Sequence, residues 1–296
     1  MSQSHNHSTG NKSLIWGIIL NGFYTILGLA FGLITGSLAL IADAIHNLTD
    51  NITLGVSYAA NRIAARKANS RKTFGYGRAT ILAAVINASF LIGIALFILV
   101  EAIERLRSPI EVEGGVIAAV AFVGIIVNAT VAYMLSKNRK DLNMRSAFID
   151  QLFDAISSLG AMIAGLVIMF TGLQFIDTIV ALIVVALLLY NTIKILREAT
   201  NILLEGVPTG VDIDAVETAI ASVDKVQSVD DMHIWAIRSG YNALSCHVVI
   251  DEQELQHSRS IVEVVKKMLH ADYGIEHTTI EVELEQNARH TSHIKH

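Results

Sequence analysis

Two short stretches of this chain place acids and a histidine where a helix would bring them together. Asp43, His46 and Asp50 lie in one, and Asp150 and Asp154 in the other. His46 and Asp50 are four residues apart, as are Asp150 and Asp154. On an α-helix such pairs share a face, with Cβ atoms roughly 5 to 6 Å apart, close enough for two side chains to grip one ion. Two such helices facing each other offer one imidazole nitrogen and three carboxylate oxygens, a set that suits tetrahedral zinc. Harder ions such as manganese also favour carboxylates, so the set is less discriminating than one richer in nitrogen. A single histidine of this kind would as readily make an interhelical hydrogen bond; four ligands at matched spacing argue against that reading. Asp43, on the same face as His46, suits a supporting or proton-carrying group.

Both stretches sit in strongly apolar surroundings. The chain has 296 residues, is 52% hydrophobic and 17% charged, and its mean hydropathy of +0.50 is too high for a soluble protein of this size. Six segments reach the roughly 20 apolar residues needed to cross a bilayer: residues 14–35, 39–61, 80–103, 115–135, 147–171 and 178–196. His46 and Asp50 fall in the second and Asp150 and Asp154 in the fifth. Each intramembrane carboxylate costs at least about 2.5 to 3.5 kcal/mol. The first five segments contain no Lys or Arg to offset it, and a divalent cation would. Asp177, near the start of the sixth, reads as an interfacial or helix-starting residue. Small residues within the spans (Gly17, Gly22, Gly28, Gly32, Ala83, Ala84, Gly160, Gly165) are expected to let helices pack closely.

Lys and Arg set the expected orientation. Arg62, Arg66, Lys67, Arg71, Lys72 and Arg78 lie between the second and third spans, and Lys137, Arg139, Lys140 and Arg145 between the fourth and fifth. The opposite side is poorer in them, so both termini should be cytosolic. Residues 1–12 lack the apolar core of a cleavable leader, and the first span is expected to be retained.

After Glu205-Gly206-Val207-Pro208 the pattern changes. Up to residue 206 there are 15 Lys/Arg against 12 Asp/Glu, and beyond it 7 against 15. We therefore expect a tail at 1–12, a transmembrane domain at 13–206, a cytosolic domain at 207–288 and a histidine-containing tail at 289–296. Within 207–288, residues 212–223 have helical spacing, 226–237 and 243–250 read as strands around Ser239-Gly240, 253–269 as helix and 277–284 as a last strand. This α-β-β-α-β order predicts helices on one face of a small sheet. Basic runs merely flank apolar segments, which excludes nucleic acid as a partner. The single Cys246 cannot form an internal disulfide. The His-Glu-x-x-His signature of an intramembrane zinc peptidase is missing, so no enzyme is expected.

Several motifs together carry a resemblance: Ser37-Leu38-Ala39-Leu40-Ile41-Ala42-Asp43-Ala44, Phe74-Gly75-Tyr76-Gly77-Arg78, Met232-His233-Ile234-Trp235 and His277-Thr278-Thr279-Ile280-Glu281. Over nearly its whole length the chain resembles the cation diffusion facilitators, a family of divalent-metal/proton antiporters. The resemblance implies an α-helical membrane protein: six transmembrane helices, a ferredoxin-like α+β cytosolic domain, a homodimer, and a transport site at His46, Asp50, Asp150 and Asp154. Zinc-selective members commonly carry the histidine on the fifth helix, whereas here it is on the second. Zinc stays first, but exclusive zinc selectivity does not follow. The resemblance also points to Asp230, His247 and Glu283, with His257 and His277, as cytosolic zinc ligands, and His233 is a neighbouring candidate. Because side chains alternate along a strand, Cys246 and His247 should point to opposite faces. For His5, His7, His290, His293 and His296, in the tails, weak metal binding at most is expected.

The expected function is efflux of zinc from the cytosol in exchange for protons, at a bacterial inner membrane, with zinc, protons, the lipid bilayer and a second copy of the chain as partners. Zinc would be substrate and cytosolic-domain ligand, with no prosthetic group. A manganese, iron, cobalt or cadmium exporter, or a membrane-tethered metal sensor without transport, are the alternatives.

Overall fold

The computed structural model describes residues 4–136 and 142–284. Six long helices come first: α1 (Ser4–Thr35), α2 (Leu38–Ala64), α3 (Ala79–Arg107), α4 (Gly114–Ser136), α5 (Leu142–Thr171) and α6 (Phe175–Leu203). Each expected span falls on one of them. Five are long and apolar enough to cross a membrane. The sixth, α2, has the length but interrupts its apolar run with Asp43, His46, Asn47, Thr49, Asp50 and Asn51, so the residues that give the helix its chemistry are also those that lower its hydropathy.

The chain divides into two compact units, one from Met1–Val56 and Asn87–Ile193, the other from Ser57–Ile86 and Lys194–His296. In the first, Leu38 and Ala42 of α2 pack with Leu91, Ala95 and Ile98 of α3 and Ala181 and Val185 of α6. Tyr24, Leu40, Ile117, Val120 and Ile168 form a second core among α1, α2, α4 and α5. Helices α4 and α5 meet backbone to backbone: a Cβ on Gly114 would lie 2.5 Å from the Gly165 carbonyl oxygen. Gly124 similarly makes room for the Tyr24 ring, which any Cβ there would strike. Gly22 and Gly160, by contrast, have nothing among the described residues within 4 Å of where a Cβ would lie, so the close packing expected at these two positions is not found there.

The second unit holds α7 (Ile213–Ala221), β1 (Val226–Arg238), β2 (Tyr241–Ile250), a 3-10 helix (Glu252–His257), α8 (Ser258–Tyr273) and β3 (Ile275–Leu284). Asp212 caps α7 through the amides of Asp214 and Ala215, as a short acid does at an N-cap. Helix α8 runs past the expected end at Leu269 to Gly274, whose φ of 62° supplies the left-handed C-cap. The 3-10 turn ahead of α8 was not legible as distinct from it. The sheet order is β1-β2-β3, β1 antiparallel and β3 parallel to β2. Val216 and Ile220 of α7 and Ile261, Val265 and Leu269 of α8 cover one face, packing on Leu244, Cys246, Val248 and Ile250. Alternation then turns His247 to the opposite face.

The same unit contains residues 65–78, between α2 and α3. Asn69 organises them, accepting from the amides of Arg71 and Lys72 and donating to the Tyr76 hydroxyl. Arg78 pairs with Glu205 at 3.1 Å. Gly77 lies so near Arg238 that a Cβ would come within 2.8 Å of its Cδ. The expected tail 289–296, the end of the expected domain at 285–288, and Lys137, Arg139 and Lys140 lie outside the described residues.

Candidate metal site

Helix α2 supplies His46 and Asp50, and α5 supplies Asp154. His46 Nε2 stands 3.4 Å from Asp154 Oδ1 and 4.0 Å from Asp50 Oδ2. Among the described residues these three form the one group of His, Cys, Asp or Glu whose ligand atoms all lie within 4.8 Å of one another. One nitrogen and two oxygens so placed can converge on one cation. Asp154 is 3% exposed, while the His46 and Asp50 side chains are 30% and 46% exposed. The trio thus has a closed end on α5 and an open end on α2.

Asp150 is not brought into this group. It lies one turn before Asp154 on the same helix, as the spacing predicts, but it is exposed. Gln151, which the sequence reading passed over, is the residue that holds Asp154: its Nε2 donates to Asp154 Oδ2 at 2.9 Å, leaving Oδ1 turned toward His46. The i, i+3 spacing was the available signal, and a neutral amide among acids is easily overlooked.

Asp43 is 1% exposed and is not one of the three residues whose ligand atoms converge. The Tyr24 hydroxyl donates to its Oδ2 at 2.7 Å and the Ser157 hydroxyl to its Oδ1 at 3.1 Å. With both oxygens accepting, the carboxylate is bonded to α1 and α5. Asn47 Nδ2 donates to the Asp43 carbonyl at 2.8 Å, a local bond along α2. Tyr24 and Ser157 were not foreseen, because nothing in a sequence announces which hydroxyl will reach a distant acid.

A second group of acids and histidines lies on the face of the sheet opposite α7 and α8. His247 Nδ1 is 2.9 Å from Glu283 Oε1, and its Nε2 is 3.7 Å from Glu281 Oε2 and 3.9 Å from Asp231 Oδ2. Asp230 is paired with His247 in the strand register, yet the acid whose oxygen approaches the ring is Asp231. An irregularity between Asp230 and His233, with Asp231 at φ 49°, breaks the strand alternation here, whereas Asp230 was the position the resemblance implied. His233 pairs with the same Asp231 at 3.0 Å. His257 bonds Glu254 at 2.9 Å, and His277 stands edge-on to Phe74 with ring centroids 5.7 Å apart. The structure therefore gathers His247, Glu283 and His233 around Asp231 and Glu281, and places His257 and His277 in other contacts. Lys225 beside Glu254 holds that carboxyl below the usual range.

The family model for the cation efflux transmembrane domain matches residues 14–204, and that for the cation efflux protein cytoplasmic domain matches residues 208–285. The chain belongs to the cation efflux family. It is accordingly a multi-pass integral membrane transporter, not an enzyme. Among relatives of this cation efflux protein, the cadmium, cobalt and zinc/H(+)-K(+) antiporter of Bacillus subtilis is 37% identical over 96% of this chain and 93% of its own. The metal cation efflux system protein CzcD of Cupriavidus metallidurans is 39% identical over 95% and 89%. The zinc transporter ZitB of Shigella flexneri is 33% identical over 99% and 96%.

Proposed function

We propose that this cation efflux protein carries divalent metal, zinc first, out of the cytosol in exchange for protons, and that His46, Asp50 and Asp154 hold the ion in transit. The observation that carries this reading is the convergence of one histidine nitrogen and two carboxylate oxygens within 4.8 Å, between helices of the transmembrane domain. Asp150, one turn from Asp154 on the same helix, is a further ligand of the right chemistry, giving the one-nitrogen, three-oxygen set that zinc accepts. Metal and proton compete for the same atoms, since ligands must be deprotonated to bind metal. His46 suits both cargoes. Its Nδ1 is buried with no hydrogen-bond partner among the described residues, so no neighbour there fixes the tautomer, and Nε2 is free to present either a lone pair or a proton to Asp154.

The cargo range extends beyond zinc. Carboxylate oxygens suit harder ions, and the Bacillus relative is named for cadmium and cobalt as well as zinc. A sensor without transport would leave the intramembrane acids without a purpose. The cytosolic group around His247 and Glu283, with Asp230 and His233 alongside, is a zinc-binding face, for which His257 and His277 are more distant candidates. We place both termini and the domain after residue 206 in the cytosol, the six helices in a bacterial inner membrane, and two copies of the chain in the working unit.

The deciding experiment is zinc flux in proteoliposomes with an imposed pH gradient. Acidifying the compartment that receives zinc should speed delivery, because protons displace the ion there and return through the same ligands. Flux indifferent to the gradient would leave facilitated diffusion instead, and no flux of zinc, manganese, cobalt or cadmium would sink the transport reading.

A further inference from the structure

The first turn of α2 is capped by a residue that belongs to α6. Part of the cap is ordinary: the Ser37 hydroxyl accepts from the Leu40 amide at 3.2 Å and its carbonyl from the Ile41 amide at 3.2 Å. The two amides still unsatisfied, those of Leu38 and Ala39, donate to the carboxylate of Asp177 at 2.6 and 3.4 Å. The Ser37 hydroxyl donates to the same group at 2.5 Å. Asp177 is 2% exposed and Ser37 0%. The acid sits in the first turn of its own helix and faces the first turn of another, so two positive helix ends favour its charge. This adds to the role expected from sequence, an interfacial or helix-starting residue, since Asp177 does lie in the first turn of α6.

The neighbouring turn is held as well. Arg105 of α3 donates through Nη1 to the Gly36 carbonyl, and its Nε bonds Glu101 at 2.8 Å. Nearby, Gln174 Oε1 accepts from the Val112 amide at 2.9 Å, tying the α5–α6 connection to the α3–α4 one. One end of the helix bundle is thus laced by side chains reaching backbone groups of other elements. An aspartate on α2 itself would have satisfied the same amides without linking anything.

We propose that Asp177 is a positioning residue for transport: by capping α2 from α6 it fixes the depth and rotation of the helix that carries His46 and Asp50, so that both meet Asp154. This rests on the reading of those three as the metal-holding group. Two turns of helix separate Leu38 from Ile45, and helices are stiff over that distance, so an error at the cap is carried to the ligands. A slip of one residue turns a helix by about 100°, which would remove both ligands from the trio. Below the cap, Leu38 and Ala42 continue the contact with α6 through Ala181 and Val185, and that apolar seam alone permits sliding that a buried carboxylate with three donors does not.

The test combines hydrogen exchange with transport on the full chain in lipid nanodiscs and proteoliposomes. In Asp177→Ala, exchange across residues 38–40 should rise about fivefold or more, the change expected from losing one net hydrogen bond. The zinc KM should rise about tenfold or more with kcat falling less, as for loss of a group that orients a metal ligand. Asp177→Asn keeps one acceptor oxygen and should be intermediate in both readings, and it serves if the alanine variant does not insert. Asp154→Ala should abolish zinc uptake yet leave exchange at 38–40 unchanged, which separates the cap from the ligands. Unchanged exchange in the Asp177 variants would overturn the cap, and faster exchange with an unaltered zinc KM would overturn the positioning role. A parent protein that moves no zinc would instead refute the proposed cargo, while the exchange arm would still decide the cap.

Discussion

His46 Nε2 and Asp154 Oδ1 face each other at 3.4 Å across α2 and α5, linking the two helices that carry the His/Asp group. Asp154 is the buried member of the group and has one oxygen already taken by Gln151. Replacing Asp154 by alanine should abolish zinc flux while insertion persists, since the change deletes a ligand and also a carboxylate that was costly to bury. Gln151→Ala should be milder, weakening zinc about 10- to 100-fold, the usual effect of removing a partner that orients a metal ligand. Equal losses in the two variants, measured as zinc uptake by purified protein, would mean that Gln151 binds the ion itself.

Asp150 allows a sharper comparison. It shares a helix face with Asp154 but is exposed and outside the trio. Asp150→Asn should therefore cost less zinc affinity than Asp154→Asn. Calorimetric titration of both variants is the check, and equal loss would show that Asp150 joins the ion as a full ligand.

The metal preference should turn on the one nitrogen. His46→Asp leaves oxygen ligands only, so the zinc-to-manganese flux ratio should fall while transport of manganese persists. An unchanged ratio would remove His46 from selectivity.

The ligand pairs were legible in sequence because helical periodicity converts spacing into shared faces, and because charge inside an apolar run is conspicuous. That logic grouped His46, Asp50, Asp150 and Asp154, of which the fold brings His46, Asp50 and Asp154 together. What periodicity cannot supply is rotation about the helix axis relative to a neighbour, which leaves Asp150 exposed although its spacing matches that of Asp50. Nor does it foresee bonds between distant elements. Asp177 read as belonging to its own helix, and only the fold shows that its acceptors serve α2. In the sheet, alternation correctly opposed Cys246 and His247, but Asp231 was not foreseen beside His247, because the irregularity in β1 breaks the period of two.

On the sheet face opposite α7 and α8, His247 stands among Glu283, Glu281 and Asp231. Zinc should tighten the proposed homodimer by neutralising acids in a domain with excess negative charge. Sedimentation of detergent-solubilised protein should show a tighter dimer with zinc, an effect reduced in His247→Ala and Glu283→Ala. His257→Ala should behave as the parent, because that ring is engaged with Glu254. A dimer equally tight with and without metal would leave zinc no part in assembly.

Cys246 provides a reporter for the integrity of that sheet. It is 1% exposed within the core beneath α7 and α8, and burial pushes its thiol up from an ordinary 9.0 to about 11. The thiolate is the reactive species, so at pH 8 the folded protein should label with a maleimide far more slowly than an exposed cysteine. Labelling should quicken as soon as the domain is unfolded in denaturant. The same shift has a stability consequence. The folded state keeps its proton where the unfolded chain releases it, so the contribution is fully present below pH 9.0 and is lost as pH rises toward about 11. Cys246→Ala, which cannot titrate, should show less of this alkaline decline than the parent when the two are compared by denaturant titration at pH 8 and pH 10. Rapid stoichiometric labelling of the native protein at pH 8 would contradict the buried placement of Cys246. An identical alkaline decline in the variant would assign the loss to other groups.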